Sequence, residues 1–197
     1  MKNIYLFGDG GHALSCIDVI EKQNKFKIKK IFSKKNSLKK KILNYSTIEE
    51  NNKKLKKLTG TNYGLVSVGQ IKTPKLRVKI YTKMKKKGFL PAVVISPNAV
   101  IYKDTKVGEG TIIMNGVIIN PKVRIGKNCI INTGCIIEHE VTIEDHCHVS
   151  TGSILNGGVI VKKGSFVGSG SVIKQKVIIS GNSVIPMGSI IKKNYSK

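Results

Sequence analysis

Through the second half of the chain an aliphatic residue returns at every sixth position. The column runs Ile95, Ile101, Val107, Ile113, Ile119, Ile125, Ile131, Ile137, Ile143, Val149, Leu155, Val161, Val167, Ile173, Ile179, Ile185 and Ile191 without a break. Four residues after each, as far as Ser189, stands a small or β-branched residue, among them Ala99, Thr111, Val123, Cys129, Cys135, Cys147 and Ser165. A period of six belongs neither to a helix nor to an alternating strand, and its persistence marks a repeat fold. Three hexads close one triangular coil of about eighteen residues, with the aliphatic side chain inward and the small one near a corner. Glycines such as Gly116, Gly134, Gly152 and Gly170 fall where such a coil turns sharply. The pattern predicts a left-handed parallel β-helix. An ordinary β-sandwich does not demand one residue class in so long a column.

Ahead of this repeat the pattern is that of an α/β unit. Asn3 to Phe7 reads as a buried strand, Gly8-Asp9-Gly10-Gly11-His12 as a tight turn, and Ala13 to Glu21 as a helix. Strand, glycine loop and helix open a nucleotide-binding unit whose helix N-terminus can hold a phosphate. The dinucleotide fingerprint is only partial, because Ala13 replaces its third glycine, and a purely structural βα turn is the other reading. Phe26 to Phe32 and Tyr63 to Val68 read as further strands. Ser46-Thr47-Ile48-Glu49 resembles a capping box opening a short helix toward Leu58. Thr73-Pro74 starts a helix that Gly88 ends. The expectation is a truncated Rossmann-like domain over 1–92, with three parallel strands, passing without a flexible linker into the β-helix over 93–197.

The charge changes this picture little. The net charge is +24, yet Arg77 and Arg124 are the only arginines among 35 basic residues, whereas phosphate clamps and base readers favour the arginine fork. No nucleic-acid role is expected, although a basic first half can attract a phosphate-bearing ligand. Cys129, Cys135 and Cys147 all occupy the small corner column, so size explains them without a disulfide or zinc. There is no long apolar run and no leader pattern, so a soluble cytoplasmic protein without a membrane span is expected.

One turn carries chemistry. Ile137 keeps the repeat, but His139 follows between Glu138 and Glu140. A carboxylate beside an imidazole can orient it as a general base near neutral pH. Asp145, His146 and His148 stand close in sequence and raise the rival reading of a metal site. Half a coil places the two groups on different faces, and no metal is expected.

With these residues in hand the chain resembles the bacterial sugar acetyltransferases that join a nucleotide-sugar-binding α/β domain to a left-handed β-helix. They include the 4-amino-sugar N-acetyltransferases of the bacillosamine, legionaminic-acid and perosamine pathways and the sialic acid O-acetyltransferases. The resemblance rests on Phe7-Gly8-Asp9-Gly10-Gly11-His12, Ser67-Val68-Gly69 with Arg77 and Gly88-Phe89, Ile95-Ser96-Pro97-Asn98-Ala99, Asn132 with Ile137-Glu138-His139-Glu140, and His148-Val149-Ser150. It implies an enzyme using acetyl-CoA, with His139 as catalytic base and Glu140 as its orienting carboxylate. Asn132 and His148 would line the acetyl site, and Gly157, one coil on, would offer an N–H to the thioester oxygen. Gly8, Asp9, Gly10, Gly11 and His12 would form the nucleotide-sugar loop. A homotrimer with acetyl-CoA between subunits is also implied. A nucleotide-linked 4-amino-sugar is the expected acceptor; a sialic-acid-like sugar acetylated on oxygen, or a non-catalytic nucleotide-sugar-binding trimer, are the alternatives. Two departures stand out: Phe32-Ser33-Lys34-Lys35-Asn36 is basic where the family is often acidic, and the C-terminus lacks the usual Gly-x-Pro-Ala segment. Between Lys127 and Lys162 there is no lysine or arginine. That belt, with Met114, Asn115, Asn120, Asn132 and Asn156 read as outward-facing, predicts a subunit interface around His139.

Overall fold

The structure, a computed structural model, describes residues 1–33, 40–49 and 61–196. The first unit is a twisted sheet with two helices. Strand β1 (Lys2–Phe7) lies at its centre, followed by helix α1 (Gly11–Gln23) and strand β2 (Phe26–Ser33). Then come β3 (Lys41–Ile42), β4 (Tyr45–Glu49), β5 (Tyr63–Val66), helix α2 (Lys75–Lys86) and β6 (Leu90–Pro91). The sheet has six strands in the order β3-β4-β2-β1-β5-β6. All neighbours run parallel except β3 and β4, which form an antiparallel pair.

This sheet is wider than the three strands expected, and one expected element is replaced. Ser46 to Glu49 is not the start of a helix but part of β4, with Ile31, Phe32 and Ser33 opposite Thr47, Ile48 and Glu49. Two β-branched residues beside an open sheet edge satisfy their backbone groups by pairing, which outweighs the weak local capping signal. The rest of the expected helix, toward Leu58, lies outside the described residues.

From Val94–Ile95 to Ile190–Ile191 the chain coils as a parallel β-helix whose three faces carry six, six and five two-residue strands. Up to the last coil, the inward aliphatic residues pair with their counterparts one coil on, as Ile113 with Ile131 and Ile137 with Leu155. Val117, Val123, Cys129, Cys135, Val141 and Cys147 join the same buried core. The cysteines are free thiols, and Cys129 Sγ donates instead to the Glu144 carbonyl at 3.2 Å.

Corners turn through left-handed residues three places after the inward aliphatic. Gly116, Gly134, Gly152 and Gly158 take φ of 68°, 69°, 66° and 69° there, and Glu140 and His146 take 62° without the benefit of lacking a Cβ.

Outward positions differ from face to face. On the first face Val94, Ile112 and Ile130 are fully buried because α1 packs over them, with Ala13, Cys16, Ile17 and Ile20 in the same cluster. Met114 lies in this cluster and Asn115 Nδ2 donates to Asp18 at 2.9 Å. Both are therefore covered by the chain's own α/β unit rather than open to another subunit. The second face presents Val100, Ile118, Ile136, Ile154, Val172 and Ile190 outward, with Val100 66% and Ile190 68% exposed. The third begins with Lys106 and Arg124 and is basic at that end.

Candidate functional site

The glycine loop is built by close contact at one end and openness at the other. Gly8 has φ of 127°, and a Cβ there would lie 2.3 Å from Val68 Cγ2, so only glycine lets β1 pass the strand-end loop. Its N–H donates to the Phe32 carbonyl at 2.9 Å, and Ser67 Oγ donates to the Gly8 carbonyl at 2.7 Å. At Gly10 and Gly11 a Cβ would meet nothing within 4 Å. There α1 begins with no side-chain cap and no acidic residue in its first turn. A helix N-terminus of this kind attracts an anion. It borders a cavity of about 280 Å³ whose walls include Asp9, His12, Phe32, Ser33, Val68 and Leu76. The basic run after Ser33 lies outside the described residues.

Behind the cavity the two units are locked by Arg77, which is 1% exposed. Its guanidinium donates to the Val66 and Val68 carbonyls, and to the Asn128 carbonyl and Oδ1 at 3.3 and 2.9 Å across the domain boundary. Arg77 Nε has no partner among the described residues. Burial, then the Arg77 charge, then His148 push His12 down to about 3. Burial pushes His148 down to about 4, with Arg77 acting the same way and the contact to Gln70 opposing. Both rings are neutral at physiological pH. His148 Nδ1 lies 2.6 Å from the Gln70 carbonyl, and its Nε2 3.3 Å from Asn132 Nδ2.

His139 stands elsewhere, at the corner between the second and third faces. Its Nδ1 is 3.2 Å from Glu140 Oε2, so the Nδ1–H points at the carboxylate, and in the neutral ring the lone pair is on Nε2. The His139 contact, then Lys122, hold the Glu140 carboxyl below the usual carboxylate range. Glu138 does not share this role, because it accepts from Asn120 Nδ2 at 2.9 Å. Gly157 sits one coil on, against the ring: Gly158 N–H donates to the His139 carbonyl at 2.9 Å. Gly157 N–H itself donates to no acceptor among the described residues.

A single chain therefore groups the expected residues into two sets. Gly8 to His12 lie with His148 and Asn132 on the side of the first face; His139, Glu140 and Gly157 lie at a different corner. Gln70 carries no signal in the sequence. Its buried amide donates to the carbonyls of His146, Gly164 and Ser165, and no local pattern announces contacts made across more than seventy residues. Among the described residues no three His, Cys, Asp or Glu side chains converge as a metal site.

Comparison with family models matches the PglD N-terminal domain over residues 3–84 and the bacterial transferase hexapeptide, six repeats, over residues 104–139. Comparison with curated protein sequences gives no match. Among solved structures, perosamine N-acetyltransferase PerB from Caulobacter crescentus, in complex with CoA and GDP-perosamine, is 27% identical with a TM-score of 0.89, covering 98% of this chain and 90% of that one. The acetyltransferase domain of PglB from Neisseria gonorrhoeae, in complex with acetyl coenzyme A, is 19% identical with a TM-score of 0.88, covering 98% and 92%. WeeI from Acinetobacter baumannii is 20% identical with a TM-score of 0.86, covering 98% and 93%. At these two identities the likeness is one of fold. A superposition of that quality is not available to a mirror-image coil, so the hand of the β-helix is shared. The chain therefore joins a PglD N-terminal domain to a left-handed β-helix of bacterial transferase hexapeptide repeats, and in both parts and their order it is similar to the PerB structure.

Proposed function

We propose that this acetyltransferase moves the acetyl group of acetyl-CoA to the 4-amine of a nucleotide-linked sugar in the making of a bacterial surface glycan. The observation that carries the reading is the His139 Nδ1 contact to Glu140 at 3.2 Å, which leaves Nε2 as a base at an exposed corner. The acceptor nitrogen attacks the thioester carbon, His139 Nε2 takes the proton as the C–N bond forms, and the C–S bond breaks to release CoA thiolate, which receives that proton back from the imidazolium and leaves as the thiol. The unpaired Gly157 N–H beside the ring is placed to stabilise the negative charge on the thioester oxygen. No acyl-enzyme is needed.

The nucleotide sits in the glycine-loop cavity, its phosphates at the α1 N-terminus. Residues 1–92 thus hold the acceptor and 93–197 carry the transfer. Because one chain holds these parts at separate corners, a complete site needs a neighbour. A cyclic homotrimer supplies it, with His139 of one subunit facing Asn132, His148 and the glycine loop of the next. The unpartnered aliphatic ladder of the second face, from Val100 to Ile190, supports that packing. Both substrates are cytoplasmic metabolites, and we place the reaction there. Among the described residues no helix is long and apolar enough to cross a membrane.

The test is release of free thiol from acetyl-CoA with UDP-, GDP- and CMP-linked amino-sugars, run beside free sialic acids. Turnover with a nucleotide-linked amine and none with free sugars is expected. Turnover on free sialic acids alone makes the enzyme an O-acetyltransferase, and tight nucleotide-sugar binding without turnover makes it a binding protein.

A further inference from the structure

The hydrogen bonds around His148 leave its ring a single state. A carbonyl oxygen can only accept, so the Gln70 carbonyl, 2.6 Å from Nδ1, requires a proton on that nitrogen. At the other end the orientation of Asn132 is fixed independently. The Thr133 N–H can only donate, and it donates to Asn132 Oδ1 at 2.9 Å, which turns Asn132 Nδ2 toward His148 Nε2. Two donors cannot face each other, so Nε2 carries a lone pair and receives an Asn132 N–H. Phe166 packs edge-on to the ring, and the charged and titratable groups that act on it are Arg77 and His12.

We infer that Gln70 is a positioning residue: its main chain holds His148 as the neutral Nδ1–H tautomer, and His148 in turn aligns the Asn132 amide as a hydrogen-bond donor toward the acetyl site. His148 is then neither proton donor nor base. The alignment is tied to the sugar cavity, because Gln70 follows Ser67, Val68 and Gly69 in the loop that lines it. The Gln70 amide fastens that loop to the β-helix through three carbonyls, at 3.0, 3.2 and 3.4 Å. Loop, histidine and asparagine form one chain of contacts from the acceptor cavity to the acyl donor. The role of Asn132 rests on the function proposed above; the tautomer does not.

The first measurement therefore needs no substrate. Two-bond proton–nitrogen correlation spectra of the full chain carrying ¹⁵N-histidine should show His148 protonated at Nδ1 and bare at Nε2 at neutral pH. An Nε2–H tautomer or an imidazolium overturns the inference. The second uses Gln70→Leu, which removes the three anchoring bonds at similar volume, and Gln70→Ala in case the first does not fold. Signal from the Nε2–H tautomer should appear, and kcat should fall on the order of 10²-fold, with KM for acetyl-CoA unchanged. Unaltered tautomer and unaltered kcat in a folded variant overturn the inference. If the wild-type protein shows the expected tautomer but acetylates no sugar, the acetyl-transfer reading fails and the fixed His148 stands.

Discussion

The imidazole of His139 fills the space in which a side chain on Gly157 would stand: a Cβ built there lies 2.6 Å from both Cε1 and Nε2 of the ring. Gly157 does not take a left-handed φ, so its backbone tolerates alanine. Gly157→Ala should therefore fold normally and act on the ring alone, turning Nε2 away from the acceptor. The expected loss in kcat is on the order of 10², with an unchanged Tm. A variant of full activity would mean that the position of the ring does not govern the reaction. His139→Ala, which removes the base, should lose roughly 10²–10⁴ in kcat while still binding CoA.

Glu140 turns its corner through a left-handed φ that Gly158, one coil on, adopts without a Cβ. Its φ of 62° costs a residue with a Cβ about 1 kcal/mol, and the fold gains no buried contact in return, since the carboxylate is exposed. Its carboxylate meets His139 Nδ1 at 3.2 Å and, more loosely, the exposed Lys122 ammonium at 3.6 Å. Glu140→Gly should raise Tm and lower kcat together, the signature of a side chain kept for chemistry at the expense of stability. Glu140→Gln, which keeps the strain and removes the charge, should lower kcat without raising Tm. Calorimetry beside initial rates separates the two, and a less stable Glu140→Gly would contradict the assignment.

The difference between what the sequence announces and what it conceals follows from range. The inward column from Ile95 to Ile191 is legible because each coil repeats one local requirement, and the same column locates His139 as an outward interruption. The glycine loop is legible because a strand, a turn and a helix follow each other directly. Ser46 to Glu49 is misleading, because its capping signal is local whereas its pairing partner, β2, lies far back in the chain. Met114 and Asn115 suggest a subunit surface for the same reason, since nothing near them in sequence reveals that α1 covers them. Gln70 leaves no trace at all, because its partners are main-chain carbonyls, which every residue possesses.

Acid should unfold the protein through its buried histidines. In the unfolded chain His12 and His148 take protons near the ordinary value of 6.5; folded, they resist until about 3 and 4. Between those limits the unfolded state binds more protons, so stability rises with pH there. It is complete above 6.5 and is lost as pH falls toward the folded values. The loss should reach a few kcal/mol, on the order of 1.4 per unit for each ring. Denaturant midpoints at a series of pH values should decline steadily across this window. His148→Gln should make the decline shallower, and an unchanged slope would show that the ring is not held neutral.

Whether the two halves of the site belong to different subunits can be decided by mixing inactive proteins. His139→Ala lacks the proposed base and His148→Ala lacks the ring that holds Asn132, so each alone should be nearly inactive. Their defects lie at different corners of one chain, with His139 leaving the second face and His148 on the first. If sites form between subunits, a trimer assembled from both variants contains interfaces where an intact His139 meets an intact His148. Random assembly of equal amounts makes roughly one interface in four complete, so co-expression or joint refolding should restore about a quarter of wild-type activity. Mixing the folded variants without subunit exchange should restore none, which controls for trace contamination. A site contained within one chain gives no recovery under any mixing, because every chain then carries its own lesion. Replacing Ile118 or Ile154 on the aliphatic second face with lysine should abolish the recovery and the trimer together, as read by sedimentation, if that face forms the contact.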